Sequence, residues 1–287
     1  MSVTPAVSGK RPRSLERVVE GIAETDGAGV QLKRIIGQPA LDSLDPFLLL
    51  DNFRSDCADD YIAGFPAHPH RGFETVTYLL AGRMRHTDNA GHEGVIEAGG
   101  VQWMTAGRGI VHSEMPQQEN GLLEGFQLWV NLPASHKMDA PSYQEFSRDR
   151  IATENRENTL IKVIAGETAL GTKGPVNQPL TEPLCLDVSL QAESKFAERL
   201  PPSHNAFLYV IHGKLEVGGG GKLARDQLGI LSAGDRLELT TGAQDARFLL
   251  VAGKPLKEPI ARGGPFVMNT KEEIQKAFAD YKAGHFG

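Results

Sequence analysis

The chain has 287 residues, 40% hydrophobic and 23% charged, which suits two domains with their own cores and excludes a disordered chain or one dominated by membrane spans. Thirty Lys and Arg against 36 Asp and Glu leave a formal charge of −6, so nothing in the overall balance drives the chain toward nucleic acid or anionic lipid. Two cysteines, Cys57 and Cys185, far apart and out of metal spacing, fit a reduced compartment, and no apolar run approaches the ~18 residues of a membrane span.

Met1 to Arg13 is basic and bears Pro and Ser, with no apolar run after it to make a signal peptide. A frayed leader on a cytoplasmic chain is the expectation. Beyond it, 32 Gly and 17 Pro divide the chain into short apolar runs. Turn residues roughly every 8–12 positions punctuate all-β sandwiches and barrels.

His68-Pro69-His70 is the first informative motif. On an extended strand, positions i and i+2 point to one side, so both imidazoles can reach one ion. Such a pair alone is more often a surface feature or two hydrogen-bonded core histidines. Arg71 follows as either a substrate contact or an arginine buttressing Glu74 or a barrel mouth. Glu74-Thr75-Val76-Thr77-Tyr78-Leu79-Leu80 reads as a strand, rich in β-branched and aromatic residues. His86, His92 and His136 lie in turn-like or loop-like surroundings and are expected at the surface. Trp103 and Met104 are expected in the core, although an aromatic at a barrel mouth stacks well on a flat ring. Gly107-Arg108-Gly109 lacks the Lys-Ser/Thr of a phosphate loop and completes no dinucleotide pattern.

His112-Ser113-Glu114 repeats the i, i+2 periodicity. Two strands facing each other in a barrel, each with a same-side pair, would build a site of three His and one carboxylate. That donor set suits Fe, Mn, Ni, Cu or Zn. Gln127-Leu128-Trp129-Val130-Asn131-Leu132 reads as another strand. Gln127 is either a pocket hydrogen-bonder or a polar residue satisfied inside the barrel.

An internal repeat follows. Tyr78 to Arg83 resembles Tyr209 to Lys214, and Ala98-Gly99 with Thr105-Ala106-Gly107 resembles Ala233-Gly234 with Thr240-Thr241-Gly242, at offsets of 131 and 135. Two copies of one β module joined around residues 135–155 explain this, as does chance likeness between glycine-turn hairpins. Under these offsets Arg199 and Pro201 fall where His68 and His70 stand, and Arg247 and Leu249 where His112 and Glu114 stand. Phe248-Leu249-Leu250-Val251 reads as a late strand. Thr270 with Glu273 matches a capping box, and Ile274, Ala277, Phe278 and Tyr281 share one helical face, so a packing helix is expected there.

Gly64 to Gly82, GFPAHPHRGFETVTYLLAG, resembles the first conserved motif of the cupin superfamily, and Gly107 to His112 resembles the second, with Gly107 where proline is usual. Within that superfamily, HPHRGFETVTYLL, QWMTAGRGIVHSEMP, QLWVNLP and GGPFVMNT together are similar to the pirins, including pirin-like quercetin dioxygenases, from about Val30 to Tyr281. The resemblance implies an all-β fold of two tandem cupin (jelly-roll β-barrel) domains with a C-terminal helix. On that expectation 1–13 is a flexible leader and 14–140 the metal-binding domain. Residues 141–265 then form a domain without a metal site, and 266–287 a tail with the packing helix.

The same resemblance implies metal ligands His68, His70, His112 and Glu114, the carboxylate coming from the second motif instead of Glu74. Glu74 then becomes a hydrogen-bond partner behind the ligands or a barrel residue paired with an arginine. The implied cofactor is one divalent transition metal, iron first, with Mn, Ni, Co, Cu or Zn as alternatives. The implied reaction is O2-dependent opening of the quercetin ring with release of carbon monoxide, with Glu114 doubling as the base and Arg71 and Gln127 as substrate-side residues. The implied partners are a flavonol-like molecule and O2, with no direct nucleic-acid contact and no membrane. A second class remains open, a metal-bearing regulatory protein that binds a transcription factor or metabolic enzyme, as does turnover of another enediol-like metabolite.

Overall fold

In the computed structural model, which describes residues 11–286, the short punctuated runs become strands and the chain divides into two compact units. One unit comprises Ile22–Asp149 with Leu256–Gly287, and the other the residues up to Gly21 with Arg150–Pro255. The first ten residues of the expected leader lie outside the described residues.

The first unit pairs a seven-stranded antiparallel sheet with a four-stranded one. The larger runs Ser142–Phe146, Val101–Thr105, Phe73–Ala81, Leu123–Asn131, Phe47–Ser55, Val30–Ile36, Ile22–Asp26; the smaller runs Phe65–His70, Ile110–Pro116, Arg83–Asp88, Glu93–Glu97. The second unit repeats this plan. Its larger sheet runs Leu15–Glu20, Gln227–Leu231, Asn205–His212, Ala246–Gly253, Leu184–Leu190, Thr159–Ala165, Ala152–Arg156. Its smaller sheet runs Lys195–Arg199, Arg236–Thr240, Lys214–Val217, Gly221–Ala224.

This correspondence corrects the offsets read from sequence. The counterpart of Ile110–Pro116 is Arg236–Thr240, so its buried Leu237 and Leu239 occupy the places expected for Arg247 and Leu249. Arg247 and Leu249 belong to Ala246–Gly253, the counterpart of Leu123–Asn131. The Thr-Thr-Gly likeness misled because it ends a different strand of the plan.

The units also cut the chain elsewhere than 14–140 and 141–265. Leu15–Glu20 pairs with Gln227–Leu231, and Ser142–Phe146 pairs with Val101–Thr105, so each unit takes its edge strand from beyond the expected boundary. Edge pairing is non-local and leaves no local sequence signal. Arg13, placed in the leader by sequence, is 1% exposed, and its guanidinium donates to the carbonyls of Pro201, Ser232, Gly234 and His204 at 2.8–3.1 Å.

In the second unit 21 buried apolar residues, among them Leu186, Leu208, Phe248 and Leu250, form one continuous cluster. In the first unit, buried apolar groups include one around Phe53, Leu79 and Met84 and another of Leu48, Phe73 and Val267. Polar side chains are also buried in this unit, including His70, Thr77, His112 and Glu114, each at most 5% exposed.

Lys271–Lys282 forms the C-terminal helix, with the reciprocal Thr270–Glu273 capping box present. Ile274 and Ala277 are buried against Phe266 and Met268 of the first unit. Phe278 and Tyr281 sit at the rim, 39% exposed, their rings edge-on to Phe266. No helix among the described residues is long and apolar enough to cross a membrane.

Candidate metal centre

Phe65–His70 is an edge strand, which accommodates Pro66 and Pro69 without losing a ladder hydrogen bond. It pairs antiparallel with Ile110–Pro116, placing His112 opposite His68 and Ile110 opposite His70. Pleating turns the alternate residues of both strands to one face. The ring centroids of His68 and His112 lie 4.4 Å apart, those of His68 and His70 4.6 Å, and those of His70 and His112 5.0 Å. One donor atom from each ring lies within 4.8 Å of the others, a grouping able to hold a metal ion.

Their hydrogen bonds leave a consistent free donor. His68 Nδ1 faces the Pro66 carbonyl at 2.8 Å and His70 Nδ1 the Pro265 carbonyl at 3.4 Å. His112 Nδ1 lies 3.3 Å from Nδ1 of His86. A ring that donates from Nδ1 keeps Nε2 as a lone-pair donor. His112 Nε2 is buried with no hydrogen-bond partner among the described residues, a costly arrangement unless a cation fills it. Burial, reinforced by the neighbouring imidazoles, holds the pKa of His70 and His112 well below the ordinary histidine value, which keeps both rings in the form that ligates a metal. The residues therefore fit a divalent transition metal.

Glu114 shares the strand and the face but stands outside the three-histidine grouping. Its Oε1 accepts a 2.6 Å hydrogen bond from Thr77, whose hydroxyl also lies 2.8 Å from Gln127 Oε1. Behind the histidine strand the chain turns at Gly72, φ +86°, where a Cβ would sit 2.0 Å from the Val267 carbonyl oxygen. Only glycine allows that approach.

His68, His70 and Glu114 open on a cavity of about 650 Å³, also lined by Gln127, Trp129, Phe53, Arg34 and Asp51. Trp129 packs edge-on to His70 at 5.3 Å and lines the cavity, while Trp103 and Met104 are core. The Arg34 guanidinium grips Asp51 at 2.7 and 3.0 Å and Asp26 at 2.8 Å. Burial pushes the Asp51 carboxyl up to about 6, against the pull of Arg34. Sequence reasoning missed this pair; its signal was Asp51-Asn52 interrupting the run Leu48-Leu49-Leu50.

Arg71 lies elsewhere. It is buried and absent from the cavity lining: its guanidinium donates to the Arg108 carbonyl and to Asp280, and stacks over Phe286. Glu74 accepts from Thr105 at 2.7 Å. His86, expected at the surface, is 2% exposed because the alternation of Arg83–Asp88 turns Met84, His86 and Asp88 inward. His92 and His136 are about 40% exposed at their side chains, as expected for loop residues.

Two like-built antiparallel units, one carrying inward histidines on adjacent strands, define a bicupin with a candidate metal centre in its first module. Residues 29–130 match the pirin family and residues 185–287 the pirin C-terminal cupin domain. The chain belongs to the pirin family. It is 51% identical over 282 residues to a pirin-like protein of Caulobacter vibrioides, covering 96% of this chain and 99% of that one. It is 48% identical over 280 residues to a Pseudomonas aeruginosa protein named "Putative quercetin 2,3-dioxygenase", covering 96% and 98%. A crystal structure of quercetin 2,3-dioxygenase from Acinetobacter baumannii superposes with a TM-score of 0.87 at 34% identity, covering 96% of this chain and 98% of that one.

Proposed function

We propose that this protein is a metal-dependent dioxygenase of the quercetinase type, which opens the flavonol heterocycle with O2 and releases carbon monoxide. One observation carries the reading: three imidazoles cluster, each with Nδ1 turned away and His112 Nε2 buried without a partner among the described residues, and two of the three, His68 and His70, border the cavity. The names of the Pseudomonas relative and the Acinetobacter structure support the substrate class. Cys57 and Cys185 are free thiols, in keeping with a cytoplasmic enzyme.

His68, His70 and His112 would hold the metal, iron in the first instance, with Mn, Ni, Co, Cu or Zn also matched by the donor set. When bound, the metal supplies Lewis acidity toward the flavonol's neighbouring oxygens and the electron-transfer chemistry that O2 requires. Glu114 supplies a fourth donor or the base. Thr77 holds its Oε1, so Oε2 is the atom that takes the proton of the flavonol 3-hydroxyl. Trp129 and Phe53 offer flat apolar surface to the aromatic rings, and Gln127 offers an amide to a ring hydroxyl. The cavity volume falls in the roughly 300–1,000 Å³ range of small-molecule sites.

The test is aerobic incubation of protein loaded separately with iron, manganese, nickel, cobalt and copper, following flavonol absorbance and carbon monoxide. Turnover with at least one metal, lost in Glu114→Gln with metal retained, is expected. No turnover with any of the five overturns the reading and leaves a metal-bearing binding protein.

A further inference from the structure

Behind His112 lies a chain of polar groups that the proposed reaction does not use. Arg83–Asp88 pairs with Ile110–Pro116, placing Asp88 opposite His112 and His86 opposite Glu114. His86 Nε2 lies 3.0 Å from Asp88 Oδ2, and His86 Nδ1 lies 3.3 Å from His112 Nδ1. A carboxylate only accepts, so the hydrogen on this contact sits on His86 Nε2. The two facing Nδ1 atoms share one hydrogen. With His86 already donating from Nε2, its Nδ1 is the acceptor and the hydrogen belongs to His112. His112 Nε2 is then bare, which matches its burial without a partner among the described residues.

We infer that Asp88 and His86 are positioning residues that hold His112 in the Nδ1–H tautomer and so aim its Nε2 lone pair at the cation. This rests on the reading of the three histidines as metal ligands. Every link in the chain is itself held. Asp88 Oδ1 accepts from the backbone N–H groups of Ala90 and His92 at 2.9 and 3.0 Å, and Asp88 Oδ2 lies 3.0 Å from His92 Nδ1. The Tyr143 ring stacks on His86 at 4.7 Å and on His92 at 5.4 Å, fixing the ring planes. Partners of this kind behind a ligand histidine set its tautomer and orientation, and their loss typically weakens metal binding by roughly 10–100-fold.

The test begins with two-bond 1H–15N correlation spectra of metal-free, 15N-labelled protein. His112 is expected as the Nδ1–H tautomer and His86 as the Nε2–H tautomer. In His86→Leu, His112 loses that preference and cobalt(II) affinity, measured against a competing chelator, falls roughly 10–100-fold. His86→Gln, whose side-chain oxygen can still accept from His112, restores both readouts. Thermal unfolding of the metal-free variants separates this from a general loss of fold. His112 found as Nε2–H in the unmodified protein, which requires no variant to fold, overturns the inference. Unchanged cobalt affinity in His86→Leu overturns it alone, whereas an unmodified protein that binds no cobalt overturns the metal reading with it.

Discussion

Arg71 and Asp280 form a 2.8 Å ion pair that ties the residue after His68-Pro69-His70 to the C-terminal helix. The arginine is 4% exposed at its side chain, and Phe286 covers its guanidinium at 4.4 Å. Asp280 also accepts from Lys276, and these hydrogen bonds, Lys276 first and then Arg71, hold its carboxyl below the usual range.

Arg71→Gln should therefore act on stability. Hydrogen bonds to charged groups contribute about 1.5–3 kcal/mol each, so a loss of about 2 kcal/mol is expected in chemical denaturation. Amide exchange should rise in Lys271–Lys282 while metal stoichiometry is kept. A substrate role would instead raise KM with stability unchanged.

Lys137 pins the same region from inside. It is 1% exposed, and its ammonium donates to the Gly72 and Val267 carbonyls at 2.7 and 3.0 Å and to Asn131 at 2.6 Å. Lys137→Met strands three buried acceptors, and a destabilisation on the order of 3 kcal/mol is expected. Urea unfolding measures it.

The buried histidines set a pH dependence. His70 and His112 titrate well below the ordinary value in the folded protein and near it in the unfolded chain. Below about pH 6.5 the unfolded state binds more protons, so the metal-free protein loses stability as pH falls through that value. Melting temperatures between pH 7.5 and 5 should decline more steeply in the unmodified protein than in His70→Phe.

Arg34→Gln leaves Asp51 buried without its guanidinium. Breaking a buried pair in this way costs about 3–5 kcal/mol, reduced here because Arg34 is 18% exposed at its side chain. The loss should be larger at pH 8 than at pH 5, because protonating Asp51, whose carboxyl lies near 6, removes the stranded charge. Unfolding free energies at the two pH values decide it.

Thr77→Val removes the hydrogen bond that holds Glu114 Oε1. If Glu114 is the base of the proposed reaction, loosening it lowers kcat by roughly tenfold or more while metal uptake by the three histidines is kept. Single-turnover flavonol assays with parallel metal analysis check both halves.

Much of the fold and of the candidate site is legible in sequence because it rests on local rules. Alternation on a strand turns His68 with His70, and His112 with Glu114, to one side; pairing of the two strands then gathers the three imidazoles, with Glu114 outside that grouping. The Thr270–Glu273 cap is equally local, since both hydrogen bonds close within one helical turn. The same alternation, applied to Met84, His86 and Asp88, would have turned His86 inward. Its apparent turn context concealed a strand of only six residues.

By itself the sequence determined the β architecture, the capped helix and the spacing of the three histidines, because each follows from the preferences and side-chain directions of residues near one another in the chain. Only the tertiary structure decided which strands complete each module, that Arg71 turns to Asp280, that Arg34 and Asp51 wall the cavity, and that Asp88 and His86 stand behind His112. Those relationships join residues from strands that meet only when the sheets close. Hydrogen-bond geometry and burial exist there only after the chain has folded.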